Sequence, residues 1–347
     1  MKNLLKIAVC GVIAMLAVLA VPAAAVPISG HDTAFLGFAG LLVNKETLHN
    51  VFTGLKTIFN NALKAAPGNW QLTAMEVPST GAGEDYAWLS RFPRMRKWVG
   101  EKFVKALSAG KFYKANEDWE TTITVKRNDI KDDRLGIYNT QALSAGESAG
   151  ELRDIIVDDL KRNAFTAECM DGQNFYDTDH PLQNSDGDAV SVSNKLTKAL
   201  SAATLAAAQA SYGAAREAIM GFTDSEGMPL RLIPDTLEVS PAGEAVARII
   251  CEAVELQDKS PNPYKGTAKV LVNPALTGPA WMLHVTSKQA IKPFIIQMRE
   301  APNFVSQTSE ENDGVFERGE YKFGAEARAT GVYGFWQLSC GSTGLVA

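Results

Sequence analysis

The longest stretch of one periodicity in the chain runs from Ile137 to Thr166. Leu143, Leu152, Ile155, Ile156, Leu160 and Ala164 recur there at helical spacing, interleaved with Glu, Asp, Arg and Lys. Gly146 and Gly150 weaken its first half, yet no other segment commits so much sequence to one element. Ahead of it, Asn44 to Ala66 places Leu48, Val51, Phe52, Leu55, Ile58, Phe59, Ala62 and Leu63 on one helical face, and Pro67-Gly68 closes that helix. Met75 to Asp85 reads as an extended or turning loop, and Trp119 to Val125 as a strand. Beyond it, Asp171 to Asp188 is dense in turn residues, and Lys195 to Met220 reads as an alanine-rich helix. Leu230–Val239 and Ala268–Asn273 are candidate strands around an amphipathic helix at Ala242–Val254. Trp281–Val285, Pro293–Met298 and Tyr333–Leu338 are apolar β-type runs. A long helix with strands on both sides of it in sequence predicts an α+β chain of at least two lobes.

Composition narrows the function. Of 347 residues, 46% are hydrophobic and 21% charged, which excludes wholesale disorder and a polytopic membrane protein. A net charge of −5 is not the footprint of a dedicated nucleic-acid binder. Cys10, Cys169, Cys251 and Cys340 are too scattered for a disulfide framework or a zinc site, and His31, His49, His180 and His284 are equally dispersed. At the amino end, Lys2 and Lys6 precede an uncharged run from Ile7 to Gly30, and Ala23-Ala24-Ala25 offers a cleavage pattern. Residues 1–25 therefore read as a secretory signal, with an uncleaved anchor or an over-extended start as the other readings.

Few residues suggest chemistry. Gly146-Glu147-Ser148-Ala149-Gly150 fits G-x-S-x-G, but that nucleophile elbow needs a strand, a sharp turn and a helix. Here the pattern is already helical, and two glycines that let another segment pack close explain the same letters. Asp171, Asp177, Asp179, Asp186 and Asp188 do not make an EF-hand: counting from Asp177, Leu182 stands where Gly is needed and Asp188 where Glu is. Asp177-Thr178-Asp179-His180 could form a two-carboxylate metal site, and a turn capped by Asp side chains accounts for it as well. Arg91, Arg94, Arg96, Lys97 and Lys102 cluster with Trp88, Phe92 and Trp98. Such a cluster grips phosphates and bases or forms a protein interface; the acidic balance favours the interface. No phosphate-binding or dinucleotide-binding loop occurs. The residues predict no cofactor, no metal and no enzyme. The alternative is an exported or membrane-anchored hydrolase using Ser148 or the Asp177–His180 loop.

Seven blocks taken in order carry a resemblance. They are Gly54–Pro67 (GLKTIFNNALKAAP), Tyr86–Gly100 (YAWLSRFPRMRKWVG), Asn128–Tyr138 (NDIKDDRLGIY), Cys169–Pro181 (CMDGQNFYDTDHP), Ala290–Arg299 (AIKPFIIQMR), Val315-Phe316 and Gly334–Leu338 (GFWQL). From about Val43 to Thr343 the chain resembles the major head subunit (gpT) family of Mu-like phages and prophages; residues 189–280 are the least similar. The resemblance implies the Hong Kong 97-like phage major capsid fold. Residues 43–75 would form an N-terminal arm and 76–130 the E-loop region. Residues 131–170 and 281–347 would form a peripheral domain with a long spine helix, and 171–280 an axial domain. Residues 1–42 would be a signal-like or spurious N-terminal extension, since a subunit assembled in the cytoplasm has no use for a secretory signal.

The function so implied is a structural subunit that self-assembles, through hexamers and pentamers, into the icosahedral shell packaging double-stranded DNA of a Mu-like phage or prophage. Its expected place is the virion, assembled in the host cytoplasm. The expected partners are other copies of itself, a scaffold or protease and a portal during assembly, and DNA held without sequence specificity. Trp88, Phe92, Trp98 and Trp119 would be anchors between subunits, and Arg91, Arg94, Arg96 and Lys97 would pair with acidic surface on the adjacent one. A nanocompartment of the same fold would differ in its cargo.

Overall fold

Asn44 opens the first helix of the computed structural model: its side-chain oxygen accepts the Thr47 amide at 2.8 Å, satisfying a donor that the helix cannot. Residues 43–90, 112–132, 134–183, 189–224, 227–288, 290–309 and 313–346 are described. Helix α1 (Lys45–Ala65) buries Leu48, Val51, Leu55, Phe59 and Ala62, the face that its periodicity predicts. It is followed by α2 (Trp70–Thr73), β1 (Ala74–Pro78), β2 (Gly83–Asp85) and a 3-10 turn at Ala87–Ser90. Next come β3 (Tyr113–Ala115), β4 (Glu117–Lys126), α3 (Arg127–Lys131) and the long helix α4 (Gly136–Asn163). A ribbon of β5 (His180–Gln183) and β6 (Ala189–Val192) leads to β7 (Lys195–Lys198). Then follow α5 (Leu205–Ala208), α6 (Ala214–Gly221), β8 (Thr236–Val239), α7 (Glu244–Glu252), β9 (Lys269–Val272) and β10 (Trp281–His284). The chain closes with β11 (Phe294–Gln307), α8 (Asp313–Arg318), β12 (Glu320–Tyr333) and β13 (Ser339–Val346).

Two sheets organise these elements. The first has the order β1-β11-β12-β4, with β1 parallel to β11 and the other pairs antiparallel. Helix α4 lies across it, and α1 lies on α4. Glycines permit both approaches. A Cβ on Gly146 would collide with the Phe59 carbonyl and Ala62, one on Gly150 with Ala66, and one on Gly331 of β12 would sit 2.8 Å from Leu160. The second sheet has the order β7-β13-β10-β8-β9, and its inner strands β8 and β10 are buried at every position. One core cluster joins the second sheet to the near half of the first. Another fills the space between α1, the start of α4 and the far half of the first sheet, where the Phe59 and Phe304 rings are 5.1 Å apart. Each such ring taken from water contributes about 2–3 kcal/mol.

The structure departs from the sequence reading in several places, and the long strand β12 has no counterpart in it. The helix expected from Lys195 starts only at Leu205, where Thr204 caps it. Lys195–Lys198 is instead a parallel edge strand on β13, held where Trp281 Nε1 and Ser342 Oγ donate to the Lys198 carbonyl. The strand expected from Leu230 is confined to β8, because Pro234 offers no amide and Arg231 has a positive φ of 54°. The loop expected at 75–85 contributes β1 and β2. The run expected as a strand at 333–338 ends β12 at Tyr333 and turns through a 3-10 helix at Trp336–Leu338. Among the described residues no helix is long and apolar enough to cross a membrane; residues 1–42, which carry the signal-like segment, lie outside them.

Candidate assembly surfaces

Residues 91–111, which hold most of the basic and aromatic cluster, lie outside the described residues; the short ribbon that flanks them pairs Gly83, Glu84 and Asp85 with Ala115, Lys114 and Tyr113. Three residue pairs do not hold a ribbon in water; polar groups fasten this one to the first sheet. The buried Tyr86 hydroxyl donates to Gln297 Oε1 at 2.8 Å. Gln297, fully buried on β11, donates in turn to Asn116 Oδ1 at 2.7 Å, and Asn116 donates to Ser79 Oγ at 3.0 Å. Burial pushes the Tyr86 phenol up, with the charge on Glu84 adding to it, so this donor stays protonated.

Two of the sequence-predicted anchors fall on described residues, and they differ. Trp88, on the 3-10 turn, is 37% exposed and packs edge-on to Phe335 with ring centres 5.8 Å apart. Trp119 is half-buried in β4 and donates to the Ala329 carbonyl of β12 at 2.9 Å, so much of it serves its own sheet. Arg91, Phe92, Arg94, Arg96, Lys97 and Trp98 lie outside the described residues.

The catalytic candidates are not assembled into a site. Ser148 is exposed in the middle of α4, with no strand or sharp turn at its motif, and the flanking glycines admit α1. Asp177 accepts the amides of Asn174 and Thr178, as a turn-capping side chain does. Asp179 accepts the Ser191 hydroxyl across the β5–β6 ribbon. Among the described residues one group, Cys169, Asp171 and His180, brings three ligand types together. Its atoms are already engaged. Asp171 takes Cys169 Sγ at 3.0 Å and His180 Nδ1 at 2.7 Å, while His180 Nε2 meets Asn194 Oδ1 at 3.1 Å and the ring stacks on Trp336 at 4.1 Å. Burial alone would raise Asp171, but the hydrogen bonds from His180 and Cys169 hold it below the usual carboxylate range. The cluster pins the loop of residues 169–181 to Asn194 and to the 3-10 turn at Trp336–Leu338.

No motif in the sequence announces the polar chain that runs through the core. Lys161 Nζ of α4 lies 2.8 Å from Glu238 Oε1 of β8, and Asn273 bridges Glu238 to Asp158 at 2.7 and 2.6 Å. His284 Nε2 lies 3.1 Å from Glu238 Oε2, and its Nδ1 lies 2.9 Å from Ser339 Oγ, which meets the Tyr176 hydroxyl at 2.6 Å. Burial would raise Glu238, yet the Lys161 charge and the His284 hydrogen bond bring it down to about 2. Burial lowers His284 despite Glu238. Ser339, His284 and Glu238 follow the order of a hydrolytic triad, but all three are fully buried; Glu238 stands at the edge of an open pocket of about 330 Å³. The chain ties α4 to the second sheet.

A long helix across a four-stranded sheet, a second sheet fed by both halves of the chain, and a short ribbon beside the first sheet are the architecture of the Hong Kong 97-like class of phage capsid subunit. The solved structure of a bacteriophage JBD30 procapsid contains a chain of this class that is 29% identical to the present one. It aligns over 87% of this chain and 76% of that one with a TM-score of 0.57. The JBD30 capsid aligns at 24% identity over 68% of this chain and all of that one, with a TM-score of 0.50. The sequence model of the Mu-like prophage major head subunit gpT matches residues 48–205, 198–276 and 275–346, and the chain belongs to that family. The major capsid protein of Escherichia phage Mu is 26% identical over 302 residues, 86% of this chain and 74% of that protein. The Mu-like prophage FluMu major head subunit of Haemophilus influenzae is 26% identical over 299 residues, 86% of this chain and 73% of that protein.

Proposed function

We propose that this major head subunit works by assembling with copies of itself, through hexamers and pentamers, into a closed shell that packages double-stranded DNA without sequence specificity. A scaffold or protease and a portal would take part during assembly in the host cytoplasm. The observation that carries the assembly reading is the β2–β3 ribbon. It is anchored at its base through Tyr86, Gln297 and Asn116, and a ribbon of three residue pairs is marginal alone in water, so lying on a neighbour would stabilise it. Trp88 and Trp119 would be anchors between subunits, together with Phe92, Trp98 and the arginines and lysine at 91–97.

The domain reading is part of the same proposal. Residues 43–75 would be the N-terminal arm, 76–130 the E-loop region, 131–170 and 281–347 the peripheral domain, and 171–280 the axial domain. Strands β10 and β13 complete the second sheet, so the returning chain would serve both domains. Nothing in the described geometry favours the hydrolase alternative, since Ser148 lies exposed in the middle of a helix and the Asp177–His180 turn is held by its own hydrogen bonds.

The test is sedimentation with negative-stain microscopy on protein beginning at Val43 and produced in the cytoplasm, beside the full chain. Capsomers, shells or tubes are expected. A monomer that stays dispersed at all concentrations, alone and with the co-expressed scaffold, overturns the reading.

A further inference from the structure

Asn194 is fully buried, and its amide nitrogen is surrounded by carbonyl groups. Nδ2 donates to Phe175 O at 2.8 Å and lies 3.3 and 3.4 Å from the carbonyls of Ser339 and Trp336. That fixes which end of the side chain is oxygen, and the Asp177 amide donates to this oxygen at 2.9 Å. His180 Nε2 lies 3.1 Å from the same oxygen, so it is a ring nitrogen that carries a proton. The other ring nitrogen, Nδ1, faces Asp171 Oδ2 at 2.7 Å. In a ring with one proton that contact sets a lone pair against a carboxylate, which repels. A cation has to stand between the two, either a second proton or a metal ion.

The third neighbour points to a metal. Cys169 Sγ lies 3.0 Å from Asp171 Oδ1, and ligand atoms of Cys169, Asp171 and His180 all lie within 4.8 Å of one another. A thiol, an imidazole and a carboxylate are donors that zinc takes, whereas calcium and magnesium take oxygen. The surroundings hold the donors in place as the outer shell of a metal site does. Asn194 receives the far ring nitrogen, Trp336 stacks on the ring at 4.1 Å, and the Gln173 amide donates to Asp171 Oδ1 at 3.1 Å. Gly172, at a φ of 82°, closes the turn that carries Cys169 and Asp171, its amide donating to the Cys169 carbonyl at 3.1 Å. Cys169 and His180 are buried and Asp171 is partly exposed, which leaves an entry from solvent.

Charge is conserved in the exchange. When a divalent ion enters, the thiol proton and the second imidazole proton leave. The thiolate and the Asp171 carboxylate then carry two negative charges against two positive ones, so the buried site stays neutral.

We propose that Cys169 Sγ, the Asp171 carboxylate and His180 Nδ1 hold a zinc ion, with the second carboxylate oxygen or a water in the fourth position. The ion fastens the loop of residues 169–181 to Asn194 and to the turn at Trp336–Leu338. The inference does not depend on the assembly reading, and its test is read on the subunit whether or not particles form.

The test uses the full chain, freed of metal with a chelator under reductant, and Co2+ as the probe. One equivalent is expected to produce a thiolate-to-cobalt charge-transfer band and to release about two protons into weakly buffered solution. Zn2+ then removes the band. Cys169→Ser loses it, while Cys10→Ser/Cys251→Ser/Cys340→Ser, whose sole cysteine is Cys169, keeps it. Added zinc raises the thermal midpoint of the wild type and leaves that of Cys169→Ser where it was. Folded wild-type protein that shows no band overturns the proposal and leaves a second proton between His180 and Asp171. A band that survives in Cys169→Ser overturns it as well. If Cys169→Ser does not fold, the triple variant decides: a band at one equivalent supports the site, and its absence sinks it.

Discussion

Glu238 shows how much one side chain can hold in this fold. It is a fully buried carboxylate between Lys161 and His284, and breaking such a pair from one side costs about 3–5 kcal/mol because a charge is left unpaired in the core. Lys161→Met is therefore expected to lower urea stability by that amount, and Lys161→Met/Glu238→Leu to recover much of it; equal losses in the single and double variants would show that the pair is not coupled. The pH dependence has a definite sign. Glu238 sits at about 2 when folded against 4.5 when free, so its stabilisation is complete above about pH 5 and is lost as pH falls toward 2, about 3 kcal/mol in all. His284 is also depressed when folded, so it too stabilises above its ordinary 6.5 and the benefit declines as acid protonates the unfolded chain. Stability should thus be level from about pH 7 to pH 8 and fall in stages below it, with the lower stage reduced in Glu238→Gln and a remainder left by Asp171, which its hydrogen bonds also hold low. The thiols of Cys169, Cys251 and Cys340 are all pushed up by burial, Cys251 to about 11 and Cys340 to about 12. Ellman's reagent should leave these three untouched until the chain is denatured.

At the scale of elements, the contact between α1 and α4 is made by what is absent. Gly146→Ala and Gly150→Ala each gain about 1 kcal/mol of helix propensity, but each puts a methyl group into α1 backbone or Ala66. Overpacking of this kind costs about 1–3 kcal/mol, so the net expectation is a lower thermal midpoint. Ser148→Ala, exposed between them, should shift it by no more than about 0.5 kcal/mol. A midpoint that rises with Gly146→Ala would mean that α1 does not seat on α4 as described. The same glycines mark how far the sequence could be read. Helices α1 and α4 were legible because each carries its own period, and the packing role of Gly146 and Gly150 followed from their place within it. Strand β7 was not legible: four residues with a helix-compatible composition become a strand because β13, far along the chain, offers an edge. The Lys161–Glu238–His284 chain was illegible for the same reason, as its members are 77 and 46 residues apart and meet only once both sheets have formed. Trp88 and Trp119 stood out in the sequence only as aromatic candidates; that Trp119 is engaged by its own sheet became visible through its bond to Ala329.

For the whole molecule the quantity that matters is the concentration at which subunits leave solution for the particle. Trp88 separates the two levels of stability because it belongs to both: it touches Tyr86 and Phe335 within the subunit while remaining 37% exposed. Losing those ring contacts in Trp88→Ala costs the isolated subunit about 1–2 kcal/mol, which leaves the fold standing in a domain of ordinary stability. If Trp88 is also an anchor between subunits, its truncation removes a further 2 kcal/mol or more at each contact. The critical concentration for assembly then rises by roughly 30-fold. Light scattering across a dilution series measures that threshold, and a denaturant titration of the unassembled subunit measures the internal loss separately. A threshold that moves well beyond the internal loss assigns Trp88 to the interface. A threshold that stays put while the subunit weakens assigns it to the base of the ribbon alone, and the burden of holding neighbours together passes to the basic segment beyond Ser90.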